Sequence, residues 1–287
     1  MLTSLSRARY KLDPYIKAAI KWRGHRRRWL RQAAWRSLGS KVSSVVVSTK
    51  WGDVVVGTDD DVIGQDMFLG DPMDMRLLAH AVELLDLPAK GVFLDVGANI
   101  GSASLAAIGL GFTKSLAFEP DHLNAARARA CFALNGLLTS QVKETAVGDE
   151  ESTVDITRSS SNSGAHRVVP GLAVRQATLD VLLSESGISA LDVGLVWVDV
   201  QGCEPGVLRG AKSLLDAGVP WVIEFSPSTS ADYAESIMSL LAGRKILRIA
   251  DEHNNLTSDP ITAADLRSFP AGVDRGEWDI LVLPSIS

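Results

Sequence analysis

The segment Phe93-Leu94-Asp95-Val96-Gly97-Ala98-Asn99-Ile100-Gly101 decides how this chain folds. Residues 91–96 form a short apolar run suited to a buried parallel strand, and residues 102–110 form a helical stretch that stops at Gly111. Gly97 lets the chain turn sharply and lets a ligand approach the backbone, while Gly101 allows close packing where the helix starts. Residues 115–118 supply the next strand. Asp121 then caps a helix with Leu123, Ala126, Ala130 and Leu134 on one face, ended by Gly136. Residues 142–147 read as a third strand, and residues 195–200, 221–225, 246–250 and 278–283 as further strands with helical stretches between most of them. Strands alternating with helices over nearly the whole second part of the chain predict an α/β fold with an open, mostly parallel sheet. In such sheets ligands bind beyond the carboxyl ends of the strands, near the point where the strand order reverses.

Two cofactor classes compete for the glycine loop. A pyrophosphate-binding loop reads G-x-G-x-x-G, and Asn99 stands where its second glycine belongs. Asp95 also sets a carboxylate at the strand end, where it would repel a pyrophosphate. S-adenosylmethionine carries no phosphate; it has an ammonium, a sulfonium and a ribose diol, and Asp95 can receive the ammonium side. Glu119, in Phe118-Glu119-Pro120 at the end of the second strand, lies 24 residues after Asp95, the separation expected across one βαβ unit. Its carboxylate can accept hydrogen bonds from both ribose hydroxyls. The cofactor set is therefore Asp95, Gly97, Asn99, Gly101 and Glu119, with Val147 and Asp149 of Ala146-Val147-Gly148-Asp149 along the adenine. An ordinary turn is the competing reading of that last segment.

The ordered motifs DVGANIG (95–101), FEP (118–120), AVGD (146–149), NSGAH (162–166), TLD (178–180), VDVQGCEPGVLRGA (198–211), IEFSP (223–227) and the terminal ILVLP resemble the FkbM family of methyltransferases over about residues 50–284. The resemblance implies a class I methyltransferase, Rossmann-like sheet of seven strands with the last antiparallel. It also implies methyl transfer from S-adenosylmethionine to a hydroxyl of a glycan, glycolipid or polyketide-type metabolite. This chain departs from the family at the fourth strand. Where the family has Lys-Ile-Asp-Val-Glu-Gly, this chain has Trp197-Val198-Asp199-Val200-Gln201-Gly202, so an indole replaces a cation and an amide a carboxylate. The departure bears on substrate range and turnover more than on cofactor binding.

An alcohol is a poor nucleophile until its proton is being removed, so transfer to a hydroxyl needs a nearby base. Asp199, at the carboxyl end of the fourth strand, is the first candidate, with cofactor binding or helix capping as its other reading. His166 is the second, in a Ser/Asn/Gly loop able to fold over a substrate and with a suitable intrinsic pKa of about 6.5. Glu204 and Glu224 are further carboxylates near the strand ends. No His/Cys/Asp grouping has metal-ligand spacing, and Cys131 and Cys203 suggest neither a disulfide framework nor a zinc site.

The net charge of -5 conceals an asymmetry: residues 7–41 carry twelve Lys or Arg against the single acid Asp13. Residues 1–41 are expected as a basic helical arm, 42–90 as a small β/helix cap with a hairpin, and 91–287 as the cofactor-binding domain. The arm's tryptophans either dock on the body or meet an anionic membrane surface or polymer. No apolar run reaches the length of a membrane span and no secretory signal is evident, so a cytoplasmic setting is expected, peripheral at the inner membrane surface if the arm binds lipid. A nucleic-acid methyltransferase gripping phosphates with the arm is the alternative enzyme, disfavoured by the acidic body and by the absence of an Asn-Pro-Pro-Tyr-type motif. A non-catalytic scaffold retaining the cofactor fold is the third reading.

Overall fold

The computed structural model describes residues 19–22, 28–38, 41–70, 72–87, 90–159, 162–226, 232–250, 255–267 and 278–283. The chain begins with β1 (Ala19–Trp22), α1 (Arg28–Leu38), β2 (Ser44–Ser48), β3 (Asp53–Gly57), α2 (Ile63–Leu69) and α3 (Met73–Leu85). It continues through β4 (Val92–Val96), α4 (Ser102–Gly109), β5 (Lys114–Phe118), α5 (His122–Leu134) and β6 (Gln141–Lys143). Then follow β7 (Ala146–Val147), β8 (Ser152–Thr157), β9 (Arg167–Pro170), β10 (Val174–Ala177) and α6 (Leu179–Glu185). The remainder is β11 (Val193–Val198), α7 (Glu204–Arg209), α8 (Lys212–Asp216), β12 (Trp221–Phe225), α9 (Tyr233–Leu240), β13 (Ile246–Ala250), β14 (Leu256–Ile261), α10 (Ala263–Arg267) and β15 (Trp278–Val282).

The main sheet runs β6-β5-β4-β11-β12-β15-β13-β14. From β6 to β12 neighbouring strands are parallel, and β15 inserts antiparallel between β12 and β13. The antiparallel last strand is present as expected, but the described sheet has an eighth strand: β14 folds back on β13. Pro260 sits in β14, where an edge strand tolerates the missing N–H. The chain leaves β4 toward β6 and returns through β11 toward β12, so strand order reverses between β4 and β11. A crevice opens at the carboxyl ends of those strands.

Two expectations need correction. The strand expected over 142–147 is two strands, because Ala146 and Val147 leave the main sheet and pair in parallel with Gln176 and Ala177 of β10. They belong to a second sheet, β7-β10-β8-β9, whose strands β8 and β9 flank the loop at 162–166. The helical arm expected over 1–41 falls mostly outside the described residues, and what is described is not one helix. Ala19–Trp22 pairs in parallel with β2, using backbone groups the hairpin leaves open at its edge.

The hairpin β2/β3 forms with Ser44 opposite Gly57 and Ser48 opposite Asp53. Its valines merge into the core of the main sheet: Val45, Val46, Val54, Val55 and Val56 pack in one cluster with Phe68, Leu78, Phe93, Ala106 and Phe132. Trp35 of α1 is 2% exposed and its ring lies 5.2 Å from that of Phe68. Cys131 and Asn135 tie the hairpin to α5, Cys131 Sγ accepting from Val55 N and Asn135 Oδ1 from Asp53 N. The other sheet face is covered by α6–α9, with Leu94, Phe118, Val196, Trp221 and Ile280 in its cluster. No helix among the described residues is long and apolar enough to cross a membrane.

Candidate active site

The turn after β4 is built on left-handed backbone, with φ of +84° at Gly97, +49° at Asn99 and +78° at Gly101. At Gly97 a Cβ would lie 1.8 Å from the carbonyl oxygen of Asp199, so only glycine lets β4 and β11 approach this closely. Gly97 N and Ala98 N both donate to Phe118 O, which pins the loop to the end of β5.

Glu119 completes that arrangement. Its Oε2 accepts from Asn99 N at 2.8 Å and its Oε1 from Asp121 N at 2.8 Å, and the residue is 5% exposed. The carboxylate therefore ties the glycine loop to the start of α5, a tether not visible in the sequence. Burial pushes its pKa up to about 8 against the pull of those two N–H groups. Asp95 is buried too: Oδ2 accepts from the amide and the hydroxyl of Ser104, and Oδ1 has no hydrogen-bond partner. Burial raises it to about 6.

Asp199 follows β11, across from Gly97. Its Oδ1 accepts from Gln201 Nε2 at 2.9 Å, and the same nitrogen donates to Glu224 Oε2 at 2.8 Å. Burial raises Asp199 to about 7, assisted by the charges of Asp74 and Glu204. Glu204 is a structural residue. Its Oε1 accepts from Val200 N and Gly202 N, and its Oε2 from Tyr233 Oη at 2.8 Å, so it fixes the backbone that presents Asp199 and Gln201.

Asp95, Gly97, Asn99, Glu119, Asp199 and His166 all border one cleft with about 740 Å³ of atom-free space, its solvent mouth included. Gly101 sits behind it, packed on Ala128 and Phe132 of α5. His166 lies at the base of β9, its side chain 15% exposed, with Nδ1 making no hydrogen bond and 3.8 Å from Asp121 Oδ2. Asp121 caps α5 through Leu123 N and Asn124 N; burial raises its pKa, but the bond and charge of Arg158 and the bond from the Asn124 amide outweigh it and hold it below the usual range.

Val147 and Asp149 are not among the cleft's lining residues. Turning into the second sheet buries Val147 in the core and leaves Asp149 in a surface ion pair with Arg209 at 2.9 Å. Ile156 and Val168 of the β8/β9 hairpin line the cleft instead. The sequence reading also missed Asp74, which enters the cleft from the first turn of α3 and is raised by burial. Nothing in the sequence separates it from an ordinary helix-start acid. Ser163 went unnoticed as well: its hydroxyl donates to Asp60 and lies 3.2 Å from Asn99 Oδ1, which straps the 162–166 segment onto the cap beside the glycine loop. Among the described residues no group of His, Cys, Asp and Glu is arranged to hold a metal ion.

This arrangement, a sheet with an inserted antiparallel strand and an acid-lined crevice at its switch point, is that of the class I methyltransferases. The methyltransferase FkbM domain matches residues 95–250, more than half of the chain, and the chain belongs to that family. A relative, the 2-O-methyltransferase NoeI of Sinorhizobium fredii, is 30% identical over 163 residues; the match covers 49% of this chain and 65% of that protein. Among solved structures, a protein of Pyrococcus horikoshii described as a transferase superposes with a TM-score of 0.46 at 12% identity, over 90% of this chain and 84% of that one. The precorrin-6y C5,15-methyltransferase of Geobacter metallireducens gives 0.42 at 13% identity, over 73% and 88%. Family membership rests on the sequence match, not on these superpositions.

Proposed function

We propose that this methyltransferase uses S-adenosylmethionine to methylate a hydroxyl of a glycan, glycolipid or polyketide-type metabolite. The observation that carries the cofactor reading is the donor set of the cleft. Asp95, Glu119 and Asp199 are carboxyls raised by burial, and one oxygen of Asp95 is buried without a partner. Such a site lacks a counter-charge that a cationic ligand brings, and it repels phosphates. S-adenosylmethionine would supply an electrophilic methyl carbon there, with the electron pair of the C–S bond leaving on sulfur. Asp95 would take the ammonium side, and Glu119 would accept from the ribose hydroxyls while still holding the glycine loop. Asp199 would take the proton of the acceptor hydroxyl as the new O–C bond forms, and His166, in the lining of the same cleft, is the second candidate base. Alignment of acceptor and methyl carbon supplies most of the acceleration in such a displacement. That the 30% identical relative is a 2-O-methyltransferase supports oxygen as the acceptor atom.

The test is transfer of tritiated methyl from S-adenosylmethionine to panels of glycans, glycolipids and hydroxylated polyketides. Label in a hydroxyl acceptor, lost in Asp199→Asn, is the expected result. Label confined to RNA or to amines would overturn the O-methyl reading.

A further inference from the structure

Gln201 sits just past β11 in left-handed backbone, φ +54°, where Gly202 N bonded to Glu204 holds the turn. Its single amide nitrogen gives one hydrogen to Asp199 Oδ1 and the other to Glu224 Oε2. A primary amide has two N–H bonds, and both are committed here. The flipped amide would aim its oxygen at two carboxyl oxygens, so the hydrogen-bond pattern itself selects the orientation.

The groups around Asp199 are nearly all acids. Asp74 approaches from α3, Glu224 from β12 and Glu204, bonded to Tyr233, from α7; Asp95 lines the same cleft from β4. Crowded carboxyls share protons, because two like charges in a desolvated space disfavour ionisation of both. Asp199 and Glu224 also share a hydrogen bond directly, and Gln201 is the uncharged donor bonded to both.

We propose that Gln201 is the positioning residue of the reacting end of the cleft: its amide bridges Asp199 and Glu224 and fixes the Asp199 carboxyl against the cleft wall. This deepens the reading of Asp199 as proton acceptor and rests on it for its catalytic meaning. An Asp199 carboxyl that swung or held its proton would neither meet the acceptor hydroxyl nor accept from it. The amide therefore does what a fixed cation would do for the geometry, while leaving Asp199 basic enough to take a proton.

The experiment is a pH titration of the full chain carrying 13C-carboxyl aspartate, with the Asp199 resonance assigned from Asp199→Asn. It needs neither cofactor nor acceptor, so its failure is distinct from failure of methyl transfer. Wild-type Asp199 is expected to titrate near 7. Gln201→Met removes both donors and should move the midpoint up by about one pH unit or more; Gln201→Lys supplies donors with a charge and should move it down by about as much. Opposite signs are not what a general loosening of the fold produces. Midpoints that stay in place, or that move together in both folded variants, overturn the proposal. Should Gln201→Met fail to fold, Gln201→Ala removes the same two donors and takes its place, with the same upward shift expected.

Discussion

Glu119 shows how one residue can serve the fold and the ligand in opposite electrostatic senses. In the unliganded protein its carboxyl holds a proton more tightly than in the unfolded chain, so the folded state loses stability as pH rises from the ordinary carboxylate range through about 8. Glu119→Gln removes the charge but keeps only one of the two acceptor oxygens, so one of the amide bonds from Asn99 N and Asp121 N is lost. We expect its melting temperature to lie below wild type near about pH 5 and to gain on wild type as pH rises to about 8.5, while affinity for S-adenosylmethionine falls about tenfold. A deficit that stays the same across that range would contradict the burial argument. Asp95, Asp199 and Glu119 rise to about 6, 7 and 8. A cationic ligand favours their ionised forms, so affinity should increase from pH 6 to pH 8 and binding should release protons. Binding heats that differ between phosphate and Tris buffers, in proportion to buffer ionisation enthalpy, would report that release; equal heats would count against it.

At the scale of elements, the strap over the cleft hangs on Asp60, which is 5% exposed and accepts from Ser163 N, Ser163 Oγ and Val62 N. Asp60→Ala removes all three bonds. Hydrogen exchange at residues 162–166 should quicken about tenfold while exchange in β4 and β5 holds; unchanged exchange in the strap would show that Asp60 does not hold it. Elements with self-contained signals were legible in the sequence: α3 runs Met73–Leu85, β12 Trp221–Phe225 and β13 Ile246–Ala250, as the apolar pattern indicates. The break at Thr145 was not. Its cause is long-range: Thr145 Oγ1 donates to Arg175 O, and β10 draws Ala146 and Val147 away. That single turn also explains why Val147 and Asp149 fall outside the cleft. The glycine loop and Glu119 were legible because their spacing is local to one βαβ unit. Asp74, Asp60 and the Gln201 bridge were not, because each acts on a residue distant in sequence or on another element.

For the whole molecule, the cap is not an appendage. Its valines, Trp35 and Phe68 share one core cluster with Phe93 and the helices of the main sheet. Shared burial couples their unfolding, so Trp35→Ala should cost about 3 kcal/mol or more of global stability and leave a single denaturation transition. Two separated transitions in urea, by fluorescence and circular dichroism, would show that the cap folds as an independent unit.

The central claim, that the carboxylate-lined cleft at the β4/β11 switch point is built for a nucleoside sulfonium and not for a dinucleotide, meets its most direct test in calorimetric titration of the purified chain. The titrants are S-adenosylmethionine, its demethylated product and NAD. Saturable micromolar binding of the first two and none of NAD is expected. Absence of binding by both adenosyl ligands, or preferential binding of NAD, would contradict it.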